Sequence, residues 1–261
     1  METLDRLQDT VNSGVYFAPG IARAYQSRVL DQPETMALLR YQQYFANRNV
    51  LDIGVGTGRT ATFLAPLARR YVAIDYSAQM VEHVRRTQPG VEVHLADMRD
   101  LSHWDDASFD FVFATNNVFD AVAHADRLIT LQGIRRLLTR NGLLVFSSHN
   151  RRSRDALSGP RLQYSRNVVT QALHVRTYLR RKLNHMRIGA LRRFETDYAL
   201  LNDIGHDYGL LHYYIDRDVQ RRQLESEGFE LLEVIDRDGH ALGANDDDGA
   251  NGHLVYVAKR A

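Results

Sequence analysis

The 261-residue chain contains no cysteine. That excludes disulfide staples, thiolate metal sites and a cysteine nucleophile, and it accords with a reducing compartment. Proline is scarce, with five residues, which leaves long stretches free for regular helix and strand. No apolar run approaches the ~18 residues that a membrane span needs. The segment Met1 to Arg6 carries charges of both signs and lacks the apolar core of a secretory leader. Neither sign of charge dominates. There are 33 Lys and Arg against 32 Asp and Glu, a net charge of +1, so the molecule as a whole is no polyanion binder. A cytoplasmic protein without a membrane partner is the expectation.

What is present is an alternation of elements. Residues 1–47 read as helical. The apolar run Asn49 to Gly54, a cluster of glycines and then Thr60 to Ala68 read as strand, tight turn and helix. Tyr71 to Asp75 is a second strand. Ser77 opens a helix to Arg86, with Met80, Val81 and Val84 inward. Val91 to Leu95 and Phe109 to Ala114 are the third and fourth strands. Asp126 to Thr139 is helical, Asn141-Gly142 breaks it, and Leu143 to Ser147 is the fifth strand. Further on, Asp216 to Ser226 is a helix stopped by Gly228, followed by strands Phe229 to Ile235 and His253 to Ala258.

Strands alternating with helices predict an α/β fold, a parallel sheet covered on both faces. The last two strands lack a crossover helix and pair most simply as an antiparallel hairpin, so one edge of the sheet should run backwards. Residues 150–212 break the alternation. They are rich in arginine, and Val175, Leu179, Leu183 and Met186 mark one amphipathic helix. The expected division is an N-terminal helical cap over 1–47, a ligand-binding core over 48–149, an Arg-rich helical insertion or lid over 150–212, and completion of the core over 213–261.

The central motif is Asp52-Ile53-Gly54-Val55-Gly56-Thr57-Gly58-Arg59. A glycine turn between strand and helix lets a ligand approach the backbone and meet free N–H groups. That alone suits dinucleotides, other anionic ligands, or merely a tight turn. A dinucleotide fingerprint needs glycine where Arg59 stands, and a P-loop needs lysine there. The pattern Gly-x-Gly-x-Gly after Asp52 resembles motif I of the class I S-adenosylmethionine (SAM)-dependent methyltransferases. The resemblance extends to Asp75 at the end of the second strand, Ala96-Asp97-Met98 after the third, Phe109 to Phe113, Leu137 to Phe146, and Gly228-Phe229.

That resemblance implies a three-layer Rossmann-like sheet of seven mostly parallel strands, with SAM as methyl donor and S-adenosylhomocysteine as product. It assigns Gly54, Gly56 and Gly58 to the methionine portion of SAM and Asp52 to its amino group. Asp75 would accept from the ribose hydroxyls, with Tyr76 beside it. Met80 would pack on the adenine, Asp97 would accept from its amine, and Met98 would donate a backbone N–H. Asn116 would lie near the sulfonium, and Tyr16 would come from an N-terminal segment closing over SAM.

Methyl transfer from a sulfonium needs orientation above all. An oxygen or nitrogen acceptor can also need a base. His149, just past the fifth strand, is the candidate, because an unperturbed imidazole titrates near ~6.5. Tyr214 is the second catalytic candidate. Asn117, Asp120, His149, Tyr213 and Tyr214 are expected to bind the acceptor. No His/Asp set stands at a metal-ligand spacing, so no metal is expected. The arginines of the insertion suit a small acceptor carrying carboxylate, phosphate or sugar, a solvated face, or a homodimer contact. A tRNA or rRNA methyltransferase is disfavoured by the near-neutral charge. Ala114-Thr115-Asn116-Asn117 also lacks the Pro-Pro-aromatic signature of base-amine methylation. A non-catalytic SAM binder and a nucleotide-linked oxidoreductase complete the alternatives.

Overall fold

The computed structural model describes residues 8–14 and 29–261. Residues 8–14 are helical. Tyr16 lies outside the described residues. The strands are β1 (Asn49–Ile53), β2 (Arg70–Asp75), β3 (Glu92–Leu95), β4 (Phe109–Ala114), β5 (Leu138–Asn150), β6 (Arg193–Phe194), β7 (Tyr198–Leu201), β8 (His212–Ile215), β9 (Phe229–Ile235) and β10 (His253–Arg260). The α-helices that follow the helical residues 8–14 are α1 (Gln32–Arg40), α2 (Ala61–Leu64), α3 (Ala78–Thr87), α4 (His124–Leu137), α5 (Val168–Gly189) and α6 (Arg217–Ser226).

The central sheet runs β3-β2-β1-β4-β5 with all neighbours parallel, then continues through β10 to β9. Seven strands thus form the Rossmann-like sheet. β10 is antiparallel to both β5 and β9. The reversed strand is therefore internal, not at the edge as the hairpin argument suggested. β9, parallel to the rest, forms the border. Strand order reverses between β1 and β4, which opens a crevice at the carboxyl ends of those strands, where α/β sheets bind ligands.

Alternation along the strands sorts the core into two layers. Leu51, Ile53, Val72 and Ile74 pack on one face. Val50, Ala73, Phe111, Phe113 and Val145 pack on the other. Both faces are covered, which is why the strands read as nearly continuous apolar runs.

β5 starts earlier than the sequence suggested, and α4 ends at Leu137 instead of Thr139. Between the pairs Phe109↔Leu138 and Phe111↔Leu143, β4 advances two residues and β5 five. The chain around Asn141 (φ 69°) and Gly142 therefore bulges inside a strand and does not separate a helix from one.

The far end of β5 carries the insertion. One edge of β5 pairs with β10 from Leu143 to His149. A strand has two edges, so β4, which pairs as far as Phe146, and β8, which pairs at His149 and Asn150, share the other. β8 therefore stands in line beyond the tip of β4, and β7 and β6 extend from it. The insertion is thus part helix and part sheet. β8 straddles residues 212 and 213, where a boundary was expected.

α5 differs from expectation in another way. Val175, Leu179, Leu183 and Met186 face solvent, and Leu183 is 63% exposed. Of the helix only Ile188 is buried.

Candidate functional site

A cavity of about 570 Å³ lies at the β1/β4 crevice, large enough for a nucleoside-sized ligand. Its walls include Asp52, Gly54, Gly56, Asp75, Tyr76, Met80, Asp97, Met98 and Asn116. The sequence assigned all of these to SAM. Gly58 is absent from the lining. Its carbonyl instead accepts a hydrogen bond from Gln88 Nε2 at 2.8 Å, and an added Cβ would strike that side chain. Gly58 therefore shapes the loop and does not form its wall.

Two glycines explain the cradle. Gly54 has φ 71°, and a Cβ there would come within 2.5 Å of Val118. Gly56 has φ 56°, and a Cβ there would meet no protein atom within 4 Å. Bare backbone thus faces open space where a ligand can come close.

The acids are held in place. Asp75 Oδ2 accepts the Gly56 N–H at 2.9 Å and Oδ1 accepts the Ser77 N–H at 2.8 Å. Asp75 thereby ties the glycine loop to the start of α3, and each oxygen retains acceptor capacity. Burial pushes its carboxyl up, and the two N–H donors offset part of that. Asp52 is buried and accepts from the hydroxyls of Thr60 and Tyr71. Its burial outweighs those bonds and raises its carboxyl to about 6. Asp97 is bound by Arg99, whose guanidinium also reaches Asp9 and Asp126. Burial opposes its charge, but Arg99 prevails and holds Asp97 below the ordinary carboxylate range.

Sequence reasoning missed several walls. Asp9, Asn12 and Ser13, from the helical residues 8–14, line the cavity, as do Arg59 and Arg99. Asn12 is tied to the carbonyls of Ala121 and Leu211. Arg59 pairs with the buried Glu34, whose Oε2 also accepts the Asp31 N–H at the start of α1. Such contacts join positions far apart in the chain, and nothing in local spacing announces them.

The residues expected at the acceptor form a polar cluster next to this cavity. Asn116 and Asn117 both have left-handed backbone (φ 59° and 58°), a conformation Asn tolerates. Asn116 lines the cavity, and the next residue turns inward so that Asn117 Nδ2 lies 3.2 Å from His149 Nε2. His149 Nδ1 lies 2.7 Å from Asp120 Oδ2, and the His149 backbone N–H donates to the same oxygen at 2.6 Å. Arg127 Nη1 and Ser148 Oγ donate to the other oxygen at 2.8 and 2.6 Å. Burial works against the Asp120 charge, yet His149 and Arg127 outweigh it and keep that carboxyl below its ordinary value. Asp120 is completely buried. It cannot touch an acceptor, so its expected binding role becomes that of positioning His149.

β8 divides its two tyrosines between opposite faces, as a strand must. Tyr214 stacks on His149 with centroids 4.8 Å apart and donates to Asp203 Oδ2 at 2.7 Å. Tyr213 points the other way. It is fully buried, stacks on Tyr198, lies 2.7 Å from His124 Nδ1 through its hydroxyl, and has Arg127 4.7 Å from its ring centre. Tyr213 is a packing residue and not an acceptor contact.

Asp203 and His212 complete the cluster. Asp203 Oδ2 lies 2.9 Å from His212 Nδ1 and 3.5 Å from His149 Nε2. Burial opposes the Asp203 charge, but His212, His149 and Tyr214 hold it well below the usual range. Ligand-type atoms of His149, Asp203 and His212 all lie within 4.8 Å of one another. Their separation along the chain concealed this set, which spacing alone had not suggested.

Comparison with known proteins agrees with this geometry. Residues 50–142 match the profile of a methyltransferase domain. A probable SAM-dependent methyltransferase of Mycobacterium tuberculosis is 37% identical over 105 residues, which is 40% of this chain and 36% of that protein. The cypemycin N-terminal methyltransferase of a Streptomyces species is 36% identical over 98 residues, 36% of this chain and 39% of the relative. The chain spans little more than a third of the length of these curated relatives. Among solved structures, the Burkholderia thailandensis 1,6-didemethyltoxoflavin-N1-methyltransferase, bound to 1,6-didemethyltoxoflavin and S-adenosylhomocysteine, superposes with a TM-score of 0.58. It covers 100% of this chain and 89% of that one at 14% identity, a likeness of fold. With the glycine cradle, the two acids and the strand order, the domain over residues 50–142 places this chain in the class I SAM-dependent methyltransferase family.

Proposed function

We propose that this chain is an enzyme that methylates an oxygen or nitrogen of a small polar acceptor, with SAM as donor. The observation that carries this reading is the cavity at the strand-order reversal. Its Gly56 backbone is bare, Asp52, Asp75 and Asp97 line it, and Asn116 borders the Asp120–His149 pair. Bound SAM supplies an activated methyl group on a sulfonium, open to in-line displacement. Gly54 and Gly56 would hold its methionine portion, Asp52 its amino group, Asp75 its ribose, and Met80, Asp97 and Met98 its adenine.

The protein's own work is orientation and proton handling. With Nδ1 committed to Asp120, His149 presents Nε2 toward Asn117 and Asp203. Nε2 is the atom that would receive the acceptor's proton. Tyr214, bonded to Asp203, walls the same space and fixes the imidazole plane by stacking.

The arginines of the insertion bear on the acceptor. Arg151 binds Asp216, Arg180 and Arg181 bind Asp207, and Arg192 binds Asn202. None of them lines the cavity. This removes the reason for an anionic acceptor. Asp203, His149 and Tyr214 favour one that donates a proton, a hydroxyl or an amine. A cytoplasmic setting, consistent with the absence of cysteine, belongs to the same reading.

The test is S-adenosylhomocysteine release from SAM across a panel of hydroxyl- and amine-bearing metabolites, run beside carboxylate- and phosphate-only compounds. Turnover confined to the first group supports the reading. SAM binding with no turnover on any member would overturn it in favour of a non-catalytic binder.

A further inference from the structure

Charge is strongly segregated in this nearly neutral chain. From Ala156 to Phe194 there is no Asp or Glu, while Arg161, Arg166, Arg176, Arg180, Arg181, Lys182, Arg187, Arg192 and Arg193 fall within that stretch. α5 lies in its middle and contains five of these bases.

The helix is also amphipathic in the reverse sense from a packed one. Its half-buried side carries Thr170, Gln171, His174, Thr177, Asn184 and His185, which are polar. Its open side carries Val168 (83% exposed), Val169, Leu173, Leu179, Leu183 and Met186. At 100° per residue, Val168, Leu179, Leu183 and Met186 fall within one narrow stripe. Lys182 flanks that stripe on one side, and Arg176 and Arg187 flank it on the other. Among the described residues, none of these three bases has an acidic partner within salt-bridge distance.

An exposed apolar stripe edged by unpaired cations, with no acid nearby, is the arrangement that beds a helix into a charged lipid interface. Apolar side chains enter the acyl boundary while the long basic stems reach headgroup phosphates. A second copy of the chain would set one run of bases against another. Nucleic acid would use the cations but leave the leucines against a polar backbone. We infer that α5 is a docking surface for an anionic phospholipid membrane, which holds the enzyme at the bilayer surface. This is a surface contact and not a span, since among the described residues no helix is long and apolar enough to cross a membrane. It revises the expectation of no membrane partner.

The experiment is co-sedimentation of the full chain with phosphatidylglycerol/phosphatidylcholine vesicles and with pure phosphatidylcholine vesicles, at low and high salt. Binding to the anionic vesicles alone, weakened by salt, is the expected result. Arg176→Gln with Arg187→Gln should weaken it about thirtyfold, at about fivefold per charge. Leu179→Ser with Leu183→Ser should abolish it. SAM affinity is measured for each variant, and because these side chains are exposed it should not move. Four results would overturn the inference: no binding to anionic vesicles, equal binding to neutral ones, salt-sensitive binding to an RNA duplex in place of vesicles, or a dimer in light scattering that the leucine variants dissociate.

Discussion

One carboxylate oxygen, Oδ2 of Asp120, faces two nitrogens of the same residue, the backbone N–H of His149 at 2.6 Å and its ring Nδ1 at 2.7 Å. Both the position and the tautomer of the imidazole follow from this double contact. A correctly placed base is worth roughly 10²–10⁴ in rate. His149→Gln should therefore lower kcat at least about a hundredfold while the SAM dissociation constant stays within error of the parent. Steady-state kinetics and calorimetry check the pair. An unchanged kcat would show that the acceptor needs no base.

The other oxygen of Asp120 neutralises Arg127, and both side chains are completely inaccessible. Arg127 also donates to Gln220, Gln223 and Ser148, so it joins α4, α6 and β5. Removing one member of such a pair strands a buried charge. Asp120→Ala should cost about 3–5 kcal/mol of folding stability, read by denaturant unfolding. Arg127→Met together with Asp120→Leu should lose less than Asp120→Ala alone.

Asp52 predicts a pH signature. In the folded protein it holds its proton up to about pH 6, whereas an unfolded aspartate releases it near ~3.9. The folded state thus binds the extra proton between those values, and stability declines as pH rises through them. Asp52→Asn retains an acceptor oxygen for Thr60 and Tyr71. It should flatten the decline between about pH 4 and pH 6 and leave the protein up to about 3 kcal/mol more stable at pH 7. The same substitution should weaken SAM binding, because the charge facing the amino group is gone. Urea unfolding across this range, with calorimetry at pH 7, tests both halves.

Gly56→Val and Asp75→Ala probe the cradle from two sides. Valine would push a branched side chain into the cavity from a backbone with φ 56°, and SAM binding should be lost. Asp75→Ala removes the acceptor for the Gly56 and Ser77 N–H groups, so it should loosen the loop as well as delete the ribose contact. Its binding loss should therefore exceed that of Asp75→Asn, measured by calorimetry.

The donor half of the site was legible because it is local. Asp52, Gly54, Gly56 and Asp75 sit at strand ends that the apolar runs announce, and the crevice follows from strand order. The acceptor half was legible only in part. His149 and Tyr214 could be named from their places near strands. Asp203 lies in a loop with no periodic signature, and it meets His149 only because β8 docks beside the tip of β5. Tyr213 shows the limit most plainly. Neighbouring tyrosines look alike in sequence, but the pleat sends one to the site and the other into the core. The apolar side of α5 was visible as a stripe, yet periodicity cannot say whether a stripe faces protein or solvent.

The way β8 is seated has a mechanical consequence. It is joined to β5 by backbone pairing at His149 and Asn150, so the insertion is a rigid buttress welded to the main beam and cannot swing as a hinged cover without tearing that seam. The same beam grips β4 lower down, beside the donor chamber, and carries the imidazole at its upper end. Alignment between methyl source and proton sink is therefore fixed by the length of one strand. A lineage could exchange the cargo it modifies by rebuilding what hangs above residue 150, with the chamber below left untouched.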